Sequence, residues 1–344
     1  MKASGIVSGH LFLLLLSFAF IACTPLAIIE PTENVWVLQG EAWEPLKHPR
    51  LLNADSQTES SFLMEHAKPE VCIVNVAEVG VSAEHFFYEE RGGVGRWLWR
   101  NGFSVLSIGI PKTALESSGW REKTVDHLGP VLQGYREHCR GVPKVGIGHG
   151  IGGSILLAPE VNAYFDGVVL ISVPLTYAGT SIATQTLLNA SGDWSWRDLV
   201  GFAVPMNFAE STSMEEVVMT NRNTIAERFE FYRVESTRLP SAFRQDIAKQ
   251  VSRVTDLRIS PEINTWLYST QPALVVLPSG NGWISSWQAD PIALGAPASR
   301  AKRIYITRSN GSAREFNHFD VFWDEDALNQ VWRPVAQWLR ETSF

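Results

Sequence analysis

From residue 71 onward, short apolar runs of strand length alternate with helix-like stretches. The runs are Val71–Val76, Phe103–Ile110, Lys144–Gly148, Gly167–Val173, Ala273–Leu277 and Arg303–Thr307. Strands alternating with helices predict a parallel sheet covered on both faces. Three of the covering helices can be placed. Phe86–Asn101 stops at Asn101-Gly102. Val125–Cys139 carries Val125, Leu128, Val131, Leu132 and Tyr135 at helical spacing, and Leu328–Leu339 does the same with Leu328, Val331, Trp332, Val335 and Leu339. Ahead of these units, Val35–Gln39 and Ser61–Glu65 alternate as antiparallel edge strands would.

Residues 175–265 break the alternation. They are rich in Trp, Phe and Met and are punctuated by Pro205, Pro240 and Pro261. The expectation is an inserted, mainly helical cap on a core made of residues 35–174 and 266–344. Trp194 and Trp196 are candidate ligand-facing aromatics there, although cap aromatics most often pack in a core.

The amino terminus reads as an address. Lys2 precedes the apolar run Leu11–Ala22, which ends at Cys23. A basic start, a short apolar core and small residues before a cut site describe a secretory signal over residues 1–22. The run is shorter than the roughly 20 residues of a membrane span. Phe20-Ile21-Ala22-Cys23 resembles a bacterial lipobox, with Phe where Leu is usual. The resemblance implies lipidation of Cys23, a tether over 23–34, and an exported, lipid-anchored protein of the cell envelope. Thr24 in place of an Asp favours the outer membrane by the same resemblance.

Composition narrows the function. The chain has 344 residues, 45% hydrophobic and 19% charged, enough for a sizeable core. Lys+Arg 29 against Asp+Glu 36 gives a net charge of -7, and without a basic run this argues against nucleic acid. Three cysteines, Cys23, Cys72 and Cys139, form neither a disulfide framework nor a metal-finger spacing. Export would permit Cys72 and Cys139 to pair; buried free thiols are the default for such residues. No metal-ligand spacing, nucleotide loop or cofactor motif is present, so no metal and no cofactor are expected.

Candidate chemistry centres on Lys144–Leu157 (KVGIGHGIGGSILL), where an apolar strand enters a glycine turn and then an apolar helix. The segment resembles the nucleophile elbow of the α/β-hydrolase superfamily, Gly-x-Ser-x-Gly-Gly. Gly148, Gly152 and Gly153 fall on the glycine positions, His149 and Ile151 flank the tip, and Gly150 falls on the nucleophile. Arg91–Pro111 resembles the superfamily's helix and strand leading to the loop after the fourth strand, Pro272–Ile284 the strand and turn that carry the acid, and Asn317–Leu339 the late histidine turn and final helix. The resemblance spans about residues 71–341 and implies an α/β-hydrolase fold.

Position by position, the resemblance implies a depleted triad. Gly150 has no side chain to attack with. Asn281 stands at the acid position; it can orient an imidazole but cannot offset imidazolium charge. His318 is kept, either as a working base or as a remnant holding its turn. Ala77-Glu78-Val79-Gly80 replaces the usual His-Gly, and Glu78 is either a solvated loop carboxylate or an acid–base partner for His318. Gly at 150 would also relieve a strained elbow; the N-myc downstream-regulated family is similar at that point. Ser154 and Ser279 are the hydroxyls to consider if residue 150 is not the tip.

In this superfamily the third and fifth strands are neighbours, which implies that Cys72 and Cys139 both lie at the bottom of the sheet. Two functions remain. One is a binding protein for a small hydrophobic or acyl-type ligand, or for a protein partner. The other is an ester hydrolase or lyase rebuilt on His318 and Glu78.

Overall fold

The computed structural model describes residues 36–39, 42–45, 61–87, 93–178, 240–251, 259–281, 284–312, 315–324 and 326–344. The expected signal, the tether, Cys23, Trp194 and Trp196 lie outside the described residues. Nine strands form one sheet: β1 (Trp36–Gln39), β2 (Ala42–Pro45), β3 (Ser61–Met64), β4 (Cys72–Val76), β5 (Ser104–Ile108), β6 (Lys144–His149), β7 (Gly167–Ile171), β8 (Ala273–Pro278) and β9 (Ala301–Ile306). Their order is β2-β1-β3-β5-β4-β6-β7-β8-β9. The first three are antiparallel additions at one edge, and β4 to β9 run parallel.

Every residue of β4, β5, β7 and β8 is buried, and apart from Asn75, Ser104 and Ser107 these strands carry no polar side chain, as a sheet covered on both faces requires. By contrast β9 closes the far edge, and its middle alternates toward solvent. The sheet is flanked by helices. Six matter here: α1 (Val94–Arg100), α2 (Trp120–His138), α3 (Gly150–Ile155), α4 (Ser241–Val251), α5 (Pro261–Leu267) and α6 (Arg333–Glu341). Helix α2 begins five residues before its apolar spacing predicts, because Trp120 and Thr124 extend the buried stripe of Leu128, Val131, Leu132 and Tyr135 backwards. Where one helix was expected over Phe86–Asn101, a 3-10 turn at Ala83–Phe87 precedes α1. A wide turn at Leu328–Trp332 leads into α6.

The sheet places the site. Strand β4 has β5 on one side and β6 on the other, so the order of the parallel strands reverses there. The crevice beyond the carboxyl ends of strands at such a reversal is where open α/β sheets bind ligands. Glu78 lies just past β4, Gly150 just past β6, and Asn281 just past β8.

At the other end of β4, Cys72 and Cys139 form a disulfide, with Cα atoms 6.2 Å apart. This corrects the default of free thiols. In the register Cys72 sits opposite Lys144, and Cys139 ends α2 five residues before it, so the two thiols meet at the bottom of neighbouring strands. The bridge spans a sequence separation of 67. Closing a loop of that size stabilises by about 4 kcal/mol in the chain-entropy account.

Candidate functional site

The turn from β6 into α3 is tight. A Cβ at Gly148 would fall 2.4 Å from the Cα of Gly153, so strand and helix approach closer than any side chain allows. Gly150 opens α3 with φ +51°, a conformation that favours glycine. A Cβ there would lie 1.4 Å from Oε2 of Glu78 and 2.9 Å from Nε2 of His318. The space a side chain at 150 would fill is therefore taken by the carboxylate of Glu78.

That carboxylate is not the solvated loop group that is the plainer expectation for it. Glu78 is 4% exposed, and three backbone N–H groups donate to it. Oε1 accepts the backbone N–H of Val79 at 2.7 Å, of Ile151 at 3.1 Å and of Gly152 at 3.3 Å. Oε2 accepts from Ile151 at 3.1 Å and lies 3.0 Å from His318 Nε2. Burial pushes the Glu78 carboxyl above its ordinary range; the charge of His149 and the three N–H groups pull back.

His318 is fully buried, and burial holds its imidazole down to about 3. Its Nδ1 lies 3.1 Å from Asn281 Nδ2, and the other end of that amide accepts the N–H of Ile284 at 3.2 Å. His149 is packed as its position before the tip suggested. Its ring lies over that of His318, with centroids 4.3 Å apart and 30° between planes, and its Nε2–H donates to His318 O at 2.9 Å. Burial and the neighbouring His318 keep His149 well below its ordinary value.

The structure thus brings together six of the residues singled out by sequence: Glu78, His149, Gly150, Ile151, Asn281 and His318. The two candidate hydroxyls are engaged elsewhere. Ser154 Oγ donates to Ile151 O at 2.7 Å, and Ser279 Oγ bonds to Ile306 O and to Glu315. Sequence reading did not find the backbone donors of Val79 and Gly152, since main-chain groups leave no compositional trace. It also missed Ser172, just past β7, which is buried at φ 51°.

Glu78, His149 and His318 each offer one potential metal-ligand atom, all within 4.8 Å of one another. The arrangement suits an anion better than a cation. Two nearly stacked imidazoles send their in-plane lone pairs side by side instead of onto one point, and the N–H groups around Glu78 would oppose positive charge.

No family model matches the chain, and no curated protein matches it. Solved structures do. A hydrolase from Oleispira antarctica superposes with TM-score 0.53 at 10% identity, over 83% of this chain and 96% of that one. A highly thermostable carboxyl esterase from Bacillus coagulans gives TM-score 0.53 at 12% identity, over 81% and 93%. These are similarities of fold, and with the sheet order and flanking helices they establish an α/β-hydrolase fold.

Proposed function

We propose that this chain is a hydrolase-like protein that has given up serine-hydrolase chemistry and acts by binding a small hydrophobic or acyl-type ligand, or a protein partner. One observation carries the proposal: the Glu78 carboxylate fills the space in front of Gly150 and accepts N–H groups from both neighbouring loops. In serine acyl transfer that space belongs to the attacking oxygen, and such N–H groups stabilise a developing oxyanion. A standing carboxylate there denies the site to both. The purified full chain is expected to stay unlabelled by a fluorophosphonate serine probe and to leave short acyl esters intact; stoichiometric labelling would refute the proposal.

One distance favours an enzyme instead. Glu78 and His318 converge to 3.0 Å, within the reach needed for an acid–base pair. Turnover of an ester that His318→Ala abolishes without unfolding the protein would install that alternative.

We further propose export and lipid anchoring at Cys23, with the protein on the periplasmic or surface face of the envelope. The lipobox-like run supports this, and the Cys72–Cys139 bridge fits an oxidising compartment. In a bacterial host, Cys23→Ser should abolish incorporation of labelled fatty acid and move the protein from membrane to soluble fraction. Unchanged partitioning would exclude the lipid anchor.

A further inference from the structure

We infer that Asn281 is a positioning residue that locks His318 in the Nε2–H tautomer, making it a fixed hydrogen-bond donor to Glu78 and removing the lone pair a general base needs. The functional meaning of the inference deepens the binding proposal and rests on it; the tautomer itself rests on geometry alone.

The amide of Asn281 has one orientation that satisfies its neighbours. Its oxygen accepts the N–H of Ile284, so its nitrogen, which carries only donors, faces His318. A donor opposite Nδ1 requires a lone pair on Nδ1. In a neutral imidazole the proton then sits on Nε2. An imidazolium would set Nδ1–H against the amide N–H, and the site is fully buried, which also disfavours the charged ring. The Nε2–H points at Oε2 of Glu78, an acceptor already receiving the Ile151 N–H. Donor meets acceptor along the whole line from Ile284 through Asn281 and His318 to Glu78.

A carboxylate at position 281, with no carboxylate opposite Nε2, would do the reverse: it would accept from Nδ1–H, leave Nε2 bare, and set the imidazole up to take a proton from the tip of the turn. The replacements at 281, 150 and 78 therefore belong together. Glycine gives Glu78 its room, Glu78 supplies the acceptor, and Asn281 turns His318 around to donate to it. If chemistry survives in this site, Glu78 must be its base, because His318 has no free lone pair toward the crevice.

The test is nitrogen NMR on the full chain labelled with ¹⁵N-histidine, His318 being assigned by its loss in His318→Gln. At neutral pH the His318 pair should show a protonated Nε2 and a bare Nδ1, with the bare nitrogen far downfield. Asn281→Asp should add a proton at Nδ1, so that both nitrogens read as protonated while Glu78 still accepts at Nε2. A change in packing alone would shift the melting temperature but would not protonate Nδ1. A wild-type His318 protonated at Nδ1 overturns the inference, as does an Asn281→Asp protein whose signatures stay put. Neither result touches the fluorophosphonate experiment, so this inference and the binding proposal can fail separately.

Discussion

Gly150→Ser, the change that would nominally restore a nucleophile, is expected to destabilise the protein and yield no esterase. A non-glycine residue at φ +51° costs about 1–2 kcal/mol. The larger effect is steric, because the new Cβ would fall 1.4 Å from Glu78 Oε2. Glu78 must then swing out, and the N–H groups of Val79, Ile151 and Gly152 lose their acceptor in a buried site. Each buried donor left unpaired costs about 1–3 kcal/mol. The sum is roughly 4 kcal/mol or more, a fall in melting temperature on the order of 10 °C.

The companion variants carry the sharper contrast. Glu78→Gly together with Gly150→Ser removes the clash but leaves the same three N–H groups without their carboxylate, so the double variant should still melt well below wild type. It also leaves His318 donating instead of accepting, and a wrong tautomer costs about 10⁴-fold in rate in serine proteases. Adding Asn281→Asp should make the triple variant react with a fluorophosphonate far faster than the double. The readouts are calorimetry and labelling rate. A single Gly150→Ser protein that melts like wild type and labels readily would show that Glu78 does not occupy the tip.

How much of this could be read from sequence depended on whether a feature leaves a periodic or compositional mark. The buried strands β4 to β8 did so, because a strand covered on both faces must be mostly apolar. Strand β2 did not. Ala42–Pro45 is short, ends in proline and, among the described residues, pairs only with β1. The disulfide was left open because pairing depends on where α2 ends relative to β6, which spacing alone does not fix.

The site was half legible. Glycines at 148, 150 and 152 announced a crowded turn, and Asn281 and His318 lie side by side, 3.1 Å apart. What the sequence could not show was the reach of Glu78. An acidic residue after a strand most often faces water, and only the missing side chain at 150, 72 positions later, lets this one lie inward. The direction of the hydrogen bonds was hidden for a similar reason: it is set by the Ile284 N–H, a backbone group.

Acid should drain the stability of this protein from about pH 6.5 downward, ahead of most carboxylate titration. His85, His149 and His318 are all buried, and burial depresses each: His85 to about 4, His318 to about 3, His149 well below its ordinary value. In the unfolded chain each titrates near 6.5. A group whose folded value is depressed takes up its proton in the unfolded state first. Their shared contribution is therefore intact above pH 6.5 and drains away as pH falls toward the folded values. Each histidine removes up to about 1.4 kcal/mol per pH unit, so three together remove roughly 4 kcal/mol per unit below about pH 5.5. Glu78 works in the opposite sense. Its raised folded value means that its contribution is present below the unfolded 4.5 and lost as pH rises, so acidification relieves it. One group cannot offset three, each changing stability by at most about 1.4 kcal/mol per pH unit. Against a typical total of about 5–15 kcal/mol, stability should vanish between pH 5 and 4. Urea titrations from pH 7.5 to 5 check this: a free energy that stays flat across that range would mean that the histidines are not held neutral.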